Sequence, residues 1–351
     1  MKKFAIYIVS MLIVSAITIY LLNSFGGGID WARIVQFFFY EWWGIIGLLS
    51  LLGSWMADAG VIYLLTRKGS EEHFGFFKSL KTTIIGAFFG MITPSYSGGQ
   101  PMQLVYMSKS GISLGVSTSV MVLRFVVEQS ALEVMAIMGL PLALRLMHKV
   151  PAVVSLAFVG FSISSGMIVF LVLFSINRKV YNKIFGLFKW AVALFRFSKR
   201  LRPKIDGFLE KIDREIAEYA QSAKTLNKDP LLLISTFSLG FLSNFLSFVT
   251  VYSAIVSIGV LKNTLSSLFD VISVQSLATM IIYFSPTPGA SGVAEGGFYL
   301  FFSPIVPREY LGTVTLEWRA LTYFIPLAIG FIVVFFESLK HMKGNRKKEE
   351  A

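Results

Sequence analysis

The sequence predicts an all-α polytopic membrane protein of about six transmembrane helices plus two re-entrant broken hairpins, arranged as an inverted repeat. Three observations predict it. The first is composition: 55% of the 351 residues are hydrophobic and 15% are charged, with a mean hydropathy of +0.68. A soluble domain carries roughly a quarter charged residues. The second is a set of apolar runs near or above the ~18 residues needed to cross about 30 Å of hydrocarbon. The third is a pair of Pro- and Gly-rich interruptions inside apolar segments.

Spans are expected near 4–22, 42–65, 114–139, 152–176, 231–260 and 318–338. The run after Lys2 and Lys3 is too long for a signal-peptide core and lacks a small-x-small cleavage site, so it reads as a retained first span. Two further apolar stretches, 82–109 and 267–303, are broken by Thr93-Pro94-Ser95-Tyr96-Ser97-Gly98-Gly99-Gln100-Pro101 and by Ser285-Pro286-Thr287-Pro288-Gly289-Ala290-Ser291-Gly292. Proline and glycine at this density stop a helix. Non-helical backbone at membrane depth survives only inside protein or along a watery cavity. Each stretch is therefore expected to be a re-entrant hairpin of two half-helices.

Charge orients the chain. Lys2 and Lys3, then Arg67, Lys68, Lys78 and Lys81, then thirteen Lys or Arg between 177 and 229, then Lys340 to Lys348 form four basic regions. Basic residues mark the cytoplasmic side. Six spans with two re-entrant hairpins put all four regions there, with both termini cytoplasmic in a plasma-membrane protein. Connections near 23–41, 140–151, 261–266 and 304–317 are less basic and are expected outside, although Arg145, His148 and Lys149 are a mild exception. Net charge is +12, but it lies beside apolar spans, so nucleic acid is not an expected partner.

Within 177–229, Ile205, Phe208, Leu209, Ile212, Ile216, Tyr219, Ala220 and Ala223 recur at helical spacing among Lys204, Lys211, Arg214 and Glu218. This is an amphipathic helix. Before it, Phe185, Phe188, Trp190, Phe195 and Phe197 mix with Lys189, Arg196, Lys199 and Arg200, a pattern suited to anionic lipid or to packing on the bundle.

Aligning Thr93-Pro94 with Thr287-Pro288 also aligns Ser97-Gly98 with Ser291-Gly292. Arg124 follows Pro94 by 30 residues and Arg319 follows Pro288 by 31. Each half then reads span, span, broken hairpin, span with arginine. An odd number of spans per half inverts the second half relative to the first, a recurrent transporter design. The organisation is 1–150 for the first repeat, 151–176 for the first span of the second, 177–229 for an interfacial insertion, 230–339 for the rest of the second repeat, and 340–351 for a basic cytoplasmic tail.

Thr93-Pro94 with Gly98-Gly99 and Pro101, then Pro286-x-Pro288-Gly289-x-x-Gly292-x-x-Glu295, then Arg319, resemble the flippase-like transmembrane family of the lysylphosphatidylglycerol synthase membrane region, including the flippase half of the multiple peptide resistance factor. The resemblance covers nearly the whole chain. Ala290 stands where the family often has a second glycine, and Gln100 where an acid is common. The apolar pattern ends near 338, so no fused aminoacyl-transfer domain is expected. The resemblance implies lipid translocation, not lipid aminoacylation.

Ionisable groups in a membrane are costly unless paired or hydrated. Here they are Asp58, Arg124, Glu128, Glu133, Asp270, Glu295, Glu317 and Arg319. Arg124 and Glu128 share a helix face and can pair. Glu133 lies roughly opposite Arg124, Glu317 is expected at a helix N-terminus, and Trp42, Trp43 and Trp318 are expected at the membrane interface. Arg124 and Arg319 are the expected ligands of a headgroup phosphate, since guanidinium matches phosphate oxygens bidentately. Amides at Gly98, Gly99, Gly289 and Gly292 are expected to add donors beside Gln100. Glu128 and Glu295 are expected to hold the arginines between substrates, and Asp58, Glu128 and Glu295 are candidates for ion coupling. The alternative is static ion pairs locking the bundle.

The expected function is a flippase for an anionic phospholipid, polyprenyl-phosphate or glycolipid headgroup. The alternative is an ion-coupled secondary transporter of a small soluble anion. A lipid-modifying enzyme is disfavoured: there is no cysteine, the three histidines do not cluster, and no G-x-S-x-G or Walker motif occurs. No cofactor or metal is expected. Expected partners are membrane lipids with anionic headgroups, with a homodimer or a partner lipid-modifying enzyme compatible with the sequence.

Overall fold

The computed structural model describes residues 28–147, 151–193, 202–283 and 285–349, with single positions between 9 and 24. The expected span 4–22 thus lies outside the continuously described residues, as do Phe195, Phe197, His148 and Lys149. Among the described residues the architecture is all helical. The short α1 (Trp31–Tyr40) leads into α2 (Trp42–Gly69), α3 (Phe76–Met91), α4 (Gly99–Lys109), α5 (Leu114–Met147) and α6 (Pro151–Ile176). Helices α7 (Arg178–Ala193) and α8 (Arg202–Asn227) follow, then α9 (Pro230–Ser257), α10 (Leu265–Ile282), α11 (Val293–Phe302), α12 (Arg308–Arg319) and α13 (Ile325–Glu349).

Five of the described helical stretches are long and apolar enough to cross a membrane: Trp42–Gly69, Ala157–Ile176, Pro230–Ser257, Leu265–Ile282 and Arg308–Lys340. The chain is a multi-pass membrane protein. Four of these stretches match expected spans. Helix α5, expected as a span, is helical over 34 residues, but Arg124, Glu128 and Glu133 interrupt its apolar run. Helix α10, expected as a half-helix, has 18 residues and full-span length.

Helices α2 and α9 form the central pair. Three glycines of α2 make this approach close. A Cβ at Gly53 would stand 2.9 Å from Leu246 Cδ1, one at Gly60 3.1 Å from Leu239 Cδ1, and one at Gly47 2.8 Å from Ser253 Oγ. Small residues on one face let membrane helices pack where the hydrophobic effect gives no drive. Helix α9 starts on Pro230, with Asp229 as N-cap accepting from the Leu232 N–H at 3.0 Å. Lys68 at the end of α2 pairs with Asp229 at 2.9 Å, so the two helix ends are tied together. That ion pair and the Leu232 amide hold the partly exposed Asp229 carboxyl below its usual range.

The 304–317 segment, expected as a connection outside the membrane, is helical from Arg308. Its charged residues hide a buried face of Leu311, Val314, Leu316 and Trp318. A π-helical turn, Ala320–Phe324, then joins α12 to α13 without a break. Trp318 is therefore a core residue, 6% exposed, with its ring stacked 4.9 Å from Phe298. Trp42 is 79% exposed.

Helix α8 covers the amphipathic stretch read from the sequence. It docks against α5: the Gly115 N–H donates to Glu215 Oε2 at 2.7 Å, and Ser119 Oγ donates to Ser222 Oγ at 2.6 Å. The fully buried Tyr219 packs its ring 5.3 Å from Phe174 and 5.6 Å from Tyr181. The insertion is thus packed on the bundle by α8. Helix α7 leaves Leu187, Phe188 and Trp190 exposed.

Candidate functional site

Two breaks and two arginines build the site. After α3, Thr93 Oγ1 donates to the Phe89 carbonyl at 2.7 Å and accepts from the Gly98 N–H at 2.8 Å, which turns the chain sharply. Ser95 and Tyr96 then take left-handed φ of 52° and 54°. After α10, Thr287 Oγ1 donates to the Ser291 carbonyl at 2.8 Å. Gly289 and Ala290 take φ of 60° and 55°. The threonine, the proline and the two left-handed residues occupy the same order in both breaks. Pro94 and Pro288 pair as an isolated antiparallel bridge, so the breaks meet.

The first cluster gathers four helices. Arg124 Nε of α5 donates to Asp58 Oδ1 of α2 at 2.6 Å, and Nη2 lies 3.3 Å from Glu128 Oε2. Arg124 Nη1 reaches Gln103 Oε1 of α4 at 3.5 Å. Thr83 of α3 donates to Asp58 Oδ2 at 2.6 Å, and Gln103 Nε2 donates to the Thr82 carbonyl at 3.2 Å. Gln103 fits because Gly86 has no side chain: a Cβ there would stand 2.2 Å from Gln103 Nε2. The Arg124 side chain is 16% exposed and Glu128 24%. With all three groups ionised, one cation faces two carboxylates.

The second cluster is sealed. Arg319 Nε of α12 donates to Glu295 Oε1 of α11 at 2.6 Å, with both side chains 5% exposed. Its Nη2 donates to the Gly289 carbonyl in the break at 3.0 Å. Its guanidinium carbon stands 4.7 Å from the Tyr323 ring centre, a cation–π contact. Glu295 Oε2 accepts the Gly292 N–H, capping α11. Between the clusters, Tyr96 and Tyr283 meet edge to face at 6.3 Å. Tyr96 is within electrostatic reach of Arg319, and Tyr283 of Arg124, Glu128 and Asp58.

The structure thus brings Arg124, Glu128 and Asp58 together, and Arg319, Glu295 and Gly289 together. It corrects the expected role of the glycine amides. The Gly98 N–H is taken by Thr93, the Gly99 N–H by the Tyr96 carbonyl and the Gly292 N–H by Glu295. These glycines shape the breaks. Gly98 lies against Thr93, and Gly99 seats α4 on α3, where a Cβ would stand 2.7 Å from the Gly86 carbonyl oxygen. Gly289 contributes its carbonyl to Arg319. Gln100 is exposed on the first turn of α4. Glu133 faces α6, accepting from Ser165 at 3.1 Å, and Asp270 lies on α10. Glu317 is in the last turn of α12, not at an N-terminus, because the helix begins at Arg308, ten residues before the apolar run at 318.

Sequence reasoning did not single out Thr83, Gln103, Tyr96 or Tyr323. The available signal was a polar side chain in an apolar hairpin helix. Asp58 was singled out for ions, but its partnership with Arg124 spans 66 residues and two helices.

The family model described as lysylphosphatidylglycerol synthase TM region matches residues 7–330. A UPF0104 membrane protein from Archaeoglobus fulgidus is 24% identical over 270 residues, covering 76% of this chain and 77% of that protein.

Proposed function

The chain belongs to the lysylphosphatidylglycerol synthase transmembrane-region family, and on that premise we propose that it is a lipid flippase. Its substrate is an anionic headgroup: a phospholipid, a polyprenyl phosphate or a glycolipid. The headgroup crosses along the two breaks while the acyl chains stay in the bilayer. The two halves act as an inverted repeat, and exposure alternates as one rocks against the other. No bond in the lipid is made or broken. The protein sits in the plasma membrane with both termini cytoplasmic, and it acts as a homodimer or beside a lipid-modifying enzyme.

One observation carries this reading. Two arginine–carboxylate clusters accompany the matched breaks, one partly open around Arg124 and one closed around Arg319, which reaches the second break at Gly289. A structural pair has no need of the opening at Arg124. A phosphate that docks on Arg124 competes with Asp58 and Glu128 for its guanidinium. Protonation of one carboxylate relieves that competition, which gives Glu128, the more exposed acid, its coupling role.

The test is headgroup translocation in proteoliposomes, read with fluorescent phosphatidylglycerol and a membrane-impermeant quencher. Faster quenching of inner-leaflet lipid than in empty liposomes is expected, lost in Arg124→Ala and Arg319→Ala preparations that remain monodisperse. No acceleration with phosphatidylglycerol, phosphatidylcholine or polyprenyl-phosphate probes rejects the flippase reading, and uptake of soluble anions then becomes the competing assay.

A further inference from the structure

A cavity of about 520 Å³ lies where α1, the end of α9 and the start of α12 meet, away from both arginine clusters. Its lining includes Asp30, Arg33, Ser257, Glu309, Tyr310 and Thr313. Arg33 is the cation among the lining residues, and its charge is already matched: Nη1 and Nη2 pair with the two Glu41 oxygens, and Nη2 also donates to the Ser257 carbonyl. Glu317 is one helical turn beyond Thr313 on the same face of α12, and it is fully buried. Ser257 joins the two groups, since its Oγ donates to Glu317 Oε2 at 3.5 Å, the outer limit of a hydrogen bond. Glu317 Oε1 and Arg33 Nε are both buried without a partner.

We propose that Glu317 is a proton-binding site, loaded through this cavity. The groups facing it are Arg33 of α1, Asp30 at the α1 cap, Glu41 at the α2 cap and Ser257 of α9. One cation already answers two carboxylates there before Glu317 is counted. A third negative charge in a dry place with one marginal donor is costly, and a bound proton removes it. Glu317 and Arg319 are two residues apart, roughly 200° around the helix, so Glu317 points toward Ser257, a cavity-lining residue, and Arg319 toward the break. The π-helical turn begins at the next residue. Such turns concentrate at functional sites. A charge change at Glu317 therefore acts on the helix segment that holds Arg319 against Glu295. This coupling role rests on the proposed translocation, whereas the proton site does not.

Infrared difference spectroscopy on purified protein, titrated with pH, reads the carboxylic-acid C=O stretch directly. A protonated-acid band is expected in wild type, with one component lost in Glu317→Gln and kept in Glu128→Gln. A band unchanged by Glu317→Gln overturns the site. Glu41→Gln is the second variant, should Glu317→Gln fail to fold. It frees Arg33 to pair with Glu317, so the band should shrink with Glu317 still present, and a wild-type band in Glu41→Gln overturns the proposal. In proteoliposomes with fluorescent phosphatidylglycerol, a pH gradient should change the wild-type rate several-fold and the Glu317→Gln rate hardly at all. An equal gradient effect in both overturns the coupling. Wild-type protein that moves no lipid defeats the flippase reading, and the infrared outcome then decides the proton site alone.

Discussion

Pro94 and Pro288 stand opposite each other as an antiparallel bridge, although 194 residues separate them. Each follows a threonine whose hydroxyl braces its own break, and each precedes two left-handed residues. Two segments that share this order and meet at their equivalent prolines are what a two-fold relation between halves requires. The contact also places both breaks at one point.

This contact should be trappable. Bridged residues have Cα atoms about 4.5–5.5 Å apart, within the range a disulfide spans. The chain has no cysteine, so Pro94→Cys with Pro288→Cys introduces the only two thiols. Mild oxidant should cross-link the double variant within one chain, seen as a mobility shift reversed by reductant. Neither single variant should shift. If the breaks must separate during transport, oxidation should also stop lipid translocation and reduction should restore it.

The glycines of the breaks should resist substitution for two different reasons. Gly99→Ala puts a methyl 2.7 Å from the Gly86 carbonyl oxygen, and backbone cannot move aside cheaply. Gly289→Ala meets the Tyr323 ring at 2.4 Å at a φ of +60°. Each should cost about 1–3 kcal/mol, by overpacking and by backbone strain. Gly166→Ala, mid-helix in α6 with nothing within 4 Å of the added carbon, should instead be neutral or stabilising by roughly 0.5–1 kcal/mol. Thermal midpoints in one detergent would check the series, and equal midpoints across all three would remove the packing argument.

Tyr219 offers a test of the docked insertion. It is fully buried against Phe174, Tyr181 and Phe185. Tyr219→Ala should lose about 3–5 kcal/mol if α8 is part of the cooperative unit. Hydrogen exchange should then rise across 202–227. A change confined to α8, with the bundle's midpoint intact, would mean that the insertion unfolds separately.

Much of this was legible in the sequence. The apolar runs gave the spans of α2, α6 and α9, and the helical spacing from Ile205 to Ala223 gave α8. The Thr-Pro alignment located both breaks, and the i, i+4 spacing of Arg124 and Glu128 gave that pair. The start of α12 was hidden because Arg308, Glu309 and Glu317 read as a polar loop, while its burial comes from neighbours distant in sequence. Asp58 with Arg124 was hidden for the same reason: nothing local marks a contact across 66 residues. The glycine amides were assigned as donors because sequence cannot tell which N–H groups the chain itself consumes.

The two arginine clusters should separate stability from function. Arg319→Met alone leaves Glu295 buried and unpaired, and should cost about 3–5 kcal/mol. Arg319→Met with Glu295→Leu removes both charges from a site that is 5% exposed, and apolar replacement of a whole buried pair is often neutral or stabilising. The double variant should recover most of the lost thermal midpoint. A merely structural pair would then leave translocation intact. The flippase reading requires that the rescued double variant remain inactive toward phosphatidylglycerol. Arg124→Met with Asp58→Leu should rescue less completely, because Glu128 is left facing the site without its cation. Adding Glu128→Gln should complete that rescue. Activity in either stable variant would rule out direct recognition of the phosphate by the arginine removed.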